Sequence, residues 1–270
     1  MAGGLAYRIV DVFSDRPLAG NALCVVLDQC PERMMQSLAR EVNLSETTFP
    51  TVTGATSYDV RIFAPTSELP FAGHPTLGTA WVVGAQGGGR WTQTSPGAMV
   101  VVDVDAGGAT MTQPAPSFTA WAEGAEIDPV QALGLASADC CTVAEAGGTR
   151  HLLVATGAPI DELRPDMAAV ARACLSVGAT TFGVVRRRDD RTLHVRVFAP
   201  AVGVVEDPGT GSAAGPIGVL AHEQWGTATS VTIHQGDEIG RPCRIDVELG
   251  PDGPVVGGRV AACAEGRFAL

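Results

Sequence analysis

The hydrophobic positions of the chain fall mostly in short, β-branched runs, which is the pattern of β-strands. The first half has strand-like runs in YRIVDVF, ALCVVLD, ETTFPTV, YDVRIFAP and GAMVVVDVDAGGATMTQP. The second half has them in CTVAE, HLLVAT, VTIHQG, CRIDVEL and PVVGGRVAAC, with a hairpin predicted for TFGVVRRRDDRTLHVRVFAP. Three segments predict helices, and the first and last begin with Pro: PERMMQSLAREV, DPVQALGL and PDMAAVARACL.

Two further segments are apolar on every side. They span Gly73 to Ala85 and Gly211 to Ala221, and neither has a polar stripe. A helix of this kind is enclosed by the rest of the protein. Each Gly costs about 1 kcal/mol in helix propensity, which close packing has to offset. We therefore expect a sheet curled around one buried helix in each half, approaching it closely at small residues: Gly78, Gly84, Gly215 and Gly218.

The two halves resemble each other in sequence. Thr47-Thr48-Phe49 matches Thr180-Thr181-Phe182, and the RIFAP motif that starts at Arg61 matches the RVFAP motif that starts at Arg196. Because the matching segments keep the same order, we infer an internal duplication. The predicted fold class is α+β, with two pseudo-symmetric lobes of curved, barrel-like mixed sheet around a central helix. The predicted lobes are residues 1–117 and 118–270, and the terminal strands are expected to cross between them.

Composition narrows the classes of function. Apolar residues make up 46% of the 270-residue chain and charged residues 17%, enough for a sizeable core, and the net charge of −11 disfavours nucleic acid and anionic membranes as partners. All 18 basic residues are Arg, which excludes Schiff-base and P-loop lysine chemistry. Seven Cys without a paired pattern, no secretory signal and no long apolar run predict a reduced, cytoplasmic protein. Neither a metal motif nor a cofactor motif is present, so no cofactor is expected.

The candidate chemistry lies at the starts of the two enclosed helices, FAGHPT and EDPGTGSAAG. Helix starts carry unpaired N–H groups and bind carboxylates, so we predict an anion-binding cleft between the lobes. Glu46, His74 and Asp207 are the candidate acid–base groups, because a carboxylic acid in a dry cleft exchanges protons near neutrality. The structural alternatives are a turn at Glu46, helix caps at His74 and Ser212, and an Asp-Pro turn at Asp207.

Three long motifs resemble the PhzF family of phenazine-biosynthesis isomerases: NLSETTF, ELPFAGHPTLG and EDPGTGSAAG. The resemblance covers nearly the whole chain. It implies the diaminopimelate-epimerase-type fold and proton transfer without a cofactor. By position, Glu46 matches the family's general acid/base, and His74 and Asp207 match its assisting polar residues. The turns that hold the substrate carboxylate match at three residues: Gly73, Gly211 and Ser212.

The leading hypothesis is a cofactor-independent isomerase that moves a proton within a small carboxylate substrate. Candidate substrates are trans-2,3-dihydro-3-hydroxyanthranilate or a related amino acid. The alternatives are a carboxylate-based amino-acid epimerase and a catalytically silent binding protein. A two-thiol racemase is disfavoured, because the helix starts contain His74 and Ser212 instead of two cysteines. The resemblance further implies a homodimer.

Overall fold

The computed structural model of the chain describes residues 4–84, 88–122, 127–200 and 203–269. The first part of the chain contains β1 (Leu5–Val12), β2 (Asn21–Val26), α1 (Glu32–Val42), β3 (Glu46–Gly54), β4 (Ser57–Phe63), β5 (Glu68–Leu69), α2 (Gly73–Gly84), β6 (Gly89–Ser95), β7 (Ala98–Val104) and β8 (Gly108–Thr112). It is followed by β9 (Ser117–Ala120), α3 (Pro129–Ala132), β10 (Cys140–Ala146), β11 (Thr149–Thr156), α4 (Met167–Val177), β12 (Thr181–Arg187), β13 (Thr192–Ala199), β14 (Val204–Asp207), α5 (Gly211–Trp225), β15 (Ser230–Gln235), β16 (Cys243–Gly250) and β17 (Gly253–Phe268).

The chain forms two compact units. The first unit comprises residues 1–112 and 257–270, and the second comprises residues 113–256. The C-terminal part of β17 therefore belongs to the first unit, where it pairs antiparallel with β1. The division into lobes 1–117 and 118–270 stays a prediction.

The first unit is a closed barrel of eight strands. Around the ring, β17 pairs with β1, β1 with β2, β2 with β3, β3 with β4, β4 with β6, β6 with β7, β7 with β8, and β8 again with β17. A closed ring leaves no unpaired strand edge. The amphipathic helix α1 packs on the outside, with Leu38 and Ala39 against Phe49 and Phe63.

Helix α2 lies inside this barrel, as its all-round apolar sequence predicts. It contacts β1, β2, β3, β6, β7 and β8, and ten of its twelve residues are buried. The predicted role of small residues is confirmed: a Cβ on Gly78 would lie 2.7 Å from both Leu23 Cδ2 and Val12 Cγ2. Ala85, the last residue of the predicted segment, lies outside the described residues.

The Gly78→Ala substitution is expected to destabilise the protein, although Ala is the better helix former. The added methyl group has no room, and overpacking a tight core costs about 1–3 kcal/mol, more than the propensity gain. Chemical denaturation against Gly157→Ala measures the difference, since a Cβ on Gly157 meets nothing within 4 Å. Equal stabilities of the two variants would contradict the close packing.

The second unit is a mixed sheet in which strands follow the order β9, β10, β11, β12, β13, β15 and β16. The β11–β12 and β13–β15 pairs are parallel and the others antiparallel. Helix α5 packs against β10, β11, β12 and β16. Helices α3 and α4 form another core with alternate residues of β11 and β12, including Leu152, Val154 and Phe182. The predicted α+β class, a curved mixed sheet with a buried helix, is confirmed.

The predicted repeat has a structural counterpart in two Arg–Glu pairs. Arg61 donates two hydrogen bonds of 2.7 Å to Glu68, and its guanidinium lies 5.2 Å from the ring centre of Phe63. Arg196 donates bonds of 2.9 and 2.8 Å to Glu206, and its guanidinium lies 5.2 Å from the ring centre of Phe198. In both units the pair fixes the short arm, β5 or β14, that leads into the enclosed helix.

The structure differs from the sequence-based predictions at several boundaries. Helix α2 begins at Gly73, as the predicted segment does, and ends at Gly84 within the described residues. Helix α4 begins at Met167, and the side chain of Asp166 caps it, whereas Pro165 was predicted to start it. Strand β6 was not predicted, because its sequence GRWTQTS has few apolar residues.

None of the described helices is long and apolar enough to span a membrane.

Candidate active site

Two of the three predicted acid–base residues meet in the first unit. Glu46 is the first residue of β3, and His74 is the second residue of α2. His74 Nε2 lies 3.2 Å from Glu46 Oε2, and their side chains are only 5% and 16% exposed. A carboxylate with restricted access to water, next to an imidazole N–H, is suited to acid–base chemistry. Gly73, a predicted carboxylate-binding residue, precedes His74 at the helix start.

Local structure fixes both partners. The parallel pairing of β2 with β3 places Glu46 opposite Leu23. The start of α2 is held by a buried chain of hydrogen bonds: Tyr58 donates to Gln93 (2.9 Å), Gln93 donates to Thr76 (2.8 Å), and Thr76 Oγ1 donates to the Ala72 carbonyl (2.8 Å). A fully satisfied buried network of this kind makes the position of the helix start rigid.

The role of Asn21 was not predicted from the sequence. Asn21 follows Gly20 in the chain, which is typical of a turn, yet its side chain is fully buried at the start of β2. Its Nδ2 lies 3.2 Å from His74 Nδ1, so it contacts the ring nitrogen opposite the one that faces Glu46. The only signal in the sequence is a polar residue at the edge of an apolar strand, and that signal does not identify a partner 53 positions away.

His74 is neutral in the folded protein. Burial lowers its pKa to about 3, because the interior solvates the imidazolium poorly. The first turn of α2 also presents the positive end of the helix dipole, which disfavours a second positive charge. His74 therefore lies beside Glu46 as a neutral imidazole and not as a cation.

The low pKa of His74 predicts that the protein loses stability in mild acid. Between the pKa of about 3 in the folded state and the ordinary histidine pKa of 6.5, the unfolded chain binds a proton that the folded chain does not. Stability is therefore complete above pH 6.5 and falls below it, by about 2 kcal/mol at pH 5 for this one group. Urea denaturation at pH 7 and pH 5 measures the effect, and His74→Gln should remove about 2 kcal/mol of the difference. An unchanged pH dependence in the variant would contradict it.

The third predicted acid–base residue, Asp207, ends β14 in the second unit. Its Oδ2 accepts a 2.6 Å hydrogen bond from Thr210 Oγ1. Gln235 holds the same turn, donating to the Asp207 carbonyl (2.7 Å) and accepting from the Thr210 N–H (3.2 Å). The turn is therefore rigid, and Asp207 has a defined position before the start of α5.

Gly211 and Ser212 are the first two residues of α5. The Gly211 carbonyl accepts a 2.8 Å bond from Gln113 Nε2. Pro216 lies inside the helix and has no N–H, so it cannot donate to the carbonyl of Ser212 four positions earlier. The Ser212 backbone instead interacts with the buried His151, whose pKa is lowered to about 4 by burial, an effect that Ser212 opposes.

The structure thus places the predicted residues in two sets. Glu46, His74 and Gly73 belong to the first unit, whereas Asp207, Gly211 and Ser212 belong to the second. Each set stands at the start of an enclosed helix, as the sequence predicts. That the two sets act on one substrate stays a prediction.

A third titratable cluster lies in the second unit. Asp161, His194 and Glu238 offer ligand atoms within 4.8 Å of one another. His194 Nε2 forms a 2.7 Å hydrogen bond with Glu238 Oε1, and the Arg186 guanidinium lies 3.9 Å from the Asp161 carboxylate. The positive charge of Arg186 opposes binding of a cation here. We assign this cluster a structural role.

Comparison with known proteins shows similarity over almost the entire chain. The profile of the PhzC-PhzF family, described as phenazine biosynthesis-like protein, matches residues 10–262. Trans-2,3-dihydro-3-hydroxyanthranilate isomerase of Pseudomonas fluorescens is 38% identical over 253 residues, covering 87% of each chain. The enzyme of the same name from Pseudomonas aeruginosa is 36% identical and covers 98% of this chain and 99% of its own.

Solved structures show the same likeness. A predicted epimerase from Pseudomonas aeruginosa matches with a TM-score of 0.84 at 30% identity, covering 98% of this chain and 99% of that one.

Proposed function

The chain belongs to the PhzC-PhzF family of phenazine biosynthesis-like proteins and is an isomerase, and from this premise we propose that Glu46 moves a proton within a small carboxylate substrate. The observation that carries the proposal is the contact between Glu46 and the neutral His74. The reaction needs a group that takes a proton from one carbon and returns it to another. A single carboxyl group does both, as base and then as acid.

The transferred proton moves only between the substrate and Glu46. The carboxylate of Glu46 removes a proton from a carbon of the substrate, and the electron pair of the broken C–H bond shifts into the conjugated system. Glu46, now a carboxylic acid, returns the proton to a different carbon, and the electron pair closes the new C–H bond. No cofactor takes part. His74, whose Nε2 lies 3.2 Å from Glu46 Oε2, positions the carboxyl group during the transfer.

Recognition of the substrate carboxylate is assigned to the helix starts. The first N–H groups of α2 and α5 follow Gly73 and Gly211, which have no side chain to block an approaching anion. Ser212 adds a hydroxyl group at the start of α5. We propose that Asp207 assists in orienting the substrate, since Thr210 and Gln235 hold its turn rigidly.

We propose trans-2,3-dihydro-3-hydroxyanthranilate, or a closely related amino acid, as the substrate. The support is the printed name of relatives that are 36–38% identical and cover most of the chain. Incubation of the protein with this compound, followed by ¹H NMR, should show its vinylic and ring C–H signals being replaced by those of an isomer. Intact substrate after prolonged incubation with folded protein would exclude this compound.

Epimerisation is the second candidate, favoured by the similarity to a protein named as a predicted epimerase. It would invert the α-carbon and leave every double bond in place, so the same NMR experiment distinguishes it. We also propose that the protein is a homodimer and that it is cytoplasmic, as expected from the sequence. All seven cysteines are thiols, which fits a reducing compartment.

A further inference from the structure

Asn21 contacts the side of His74 that the proposed reaction does not use. Its side chain is fully buried, and its Nδ2 lies 3.2 Å from His74 Nδ1, while His74 Nε2 lies 3.2 Å from Glu46 Oε2. The three side chains therefore form a row, with the imidazole in the middle. The order of this row decides which ring nitrogen carries the proton.

A strained loop fixes the position of Asn21. Phe13 and Leu18 have φ angles of 66° and 65°, a left-handed conformation that bulky residues rarely adopt. The buried Asp11 accepts a 2.7 Å hydrogen bond from the Leu18 N–H and holds the loop in this shape. Gly20 has φ +70°, and a Cβ there would lie 2.5 Å from the Val12 carbonyl oxygen. Strain of this kind persists only where surrounding contacts enforce it, and it concentrates at functional sites.

With Asn21 Nδ2 placed 3.2 Å from His74 Nδ1, one arrangement of the imidazole proton follows. An amide nitrogen only donates, so Asn21 Nδ2 donates to His74 Nδ1, which must then carry a lone pair. A neutral imidazole has one proton, and it must therefore sit on Nε2. Nε2 is the ring nitrogen that lies 3.2 Å from Glu46 Oε2.

We propose that Asn21 is a positioning residue that fixes His74 in the tautomer with its proton on Nε2, the ring nitrogen next to Glu46. Asp11 and the loop between β1 and β2 hold Asn21 in register for this task. The effect of the tautomer on turnover rests on the proposed function of Glu46. The assignment of the tautomer itself is independent of that function.

The direct test is the ¹⁵N NMR spectrum of the imidazole nitrogens in the wild-type protein at pH 7. The His74 signals are assigned by their loss in His74→Gln. We expect a protonated Nε2 and an unprotonated Nδ1. A proton on Nδ1, or on both nitrogens, overturns the inference whether or not any substrate is turned over.

Asn21→Asp replaces the amide donor by a carboxylate acceptor of nearly the same shape. A carboxylate only accepts, so Nδ1 should become protonated, and turnover should fall at least tenfold with KM changed less than threefold. Asn43→Asp is the matched control, since Asn43 is the only other Asn in the chain and is exposed at the end of α1. It should leave the His74 tautomer and turnover unchanged.

If the new carboxylate prevents folding, Asn21→Ala serves instead. Without the amide donor, both tautomers of His74 should appear in the spectrum. A variant that folds and keeps the proton on Nε2, with normal turnover, overturns the inference. The expected tautomer in a protein that does not convert trans-2,3-dihydro-3-hydroxyanthranilate supports the role of Asn21 and refutes that substrate.

Discussion

Replacing Glu46 by Gln is expected to lower turnover by about 100-fold or more, because the variant loses the group that takes and returns the proton. KM should stay within about tenfold, since the amide keeps the size and polarity of the side chain beside His74. An effect confined to turnover identifies a group that acts in the transition state and not in binding. Steady-state kinetics on the substrate that the wild-type protein converts measures both quantities.

Glu41→Gln is the control for this experiment. Glu41 is exposed on α1, five positions before Glu46. Its substitution by Gln removes one negative charge, as Glu46→Gln does. Its kinetics should match those of the wild type. If Glu46→Gln retained near-normal turnover, the search for the acid–base group would move to Asp207 and His74.

The second large effect is expected for stability. Arg196 and Glu206 have side chains that are 6% and 9% exposed, and Arg196 also donates to the carbonyls of Ile160 and Leu163. Arg196→Met would leave the Glu206 carboxylate buried without its partner. Removing one member of a buried pair typically costs about 3–5 kcal/mol, which chemical denaturation should show as a lower free energy of unfolding.

The matching pair in the first unit provides the comparison. Arg61 and Glu68 make the same two-bond contact, but their side chains are 31% and 33% exposed. Water then solvates the charge that remains, so Arg61→Met should cost about 1 kcal/mol or less. Equal costs for Arg61→Met and Arg196→Met would show that burial does not determine the strength of these pairs.

The sequence predicts the local features of this fold well. Helix α2 is enclosed because its residues are apolar on every side, and this pattern is visible within twelve consecutive residues. Gly78 and Gly215 could be recognised as packing residues for the same reason. Their contacts confirm it: a Cβ on Gly215 would clash with the Gln113 side chain and lie 2.8 Å from Pro254 Cγ. The likeness between the RIFAP and RVFAP motifs likewise identifies two Arg residues that make the same contact in each unit.

The residues that pair across distant segments were not predicted, although the terminal strands were expected to cross between the lobes. Strand β17 closes the barrel by pairing with β1, and Val260 lies opposite Val12 at nearly the other end of the chain. Nothing in either segment specifies the other, because an apolar strand pairs equally well with many partners. Asn21 was missed for the same reason. The role of Asn21 depends on its contact with His74, and the two residues meet only when β2 and α2 pack together in the folded barrel.

The most direct test of the account follows the transferred proton. The protein and its substrate are incubated in D₂O, and NMR locates deuterium in the product. We expect the new C–H bond at a carbon different from the one that lost its proton, and any deuterium that Glu46 takes up from solvent between the two steps appears at that carbon. Deuterium found only on the original α-carbon, with inverted configuration, or a product that contains no solvent deuterium and forms equally fast with Glu46→Gln, would contradict it.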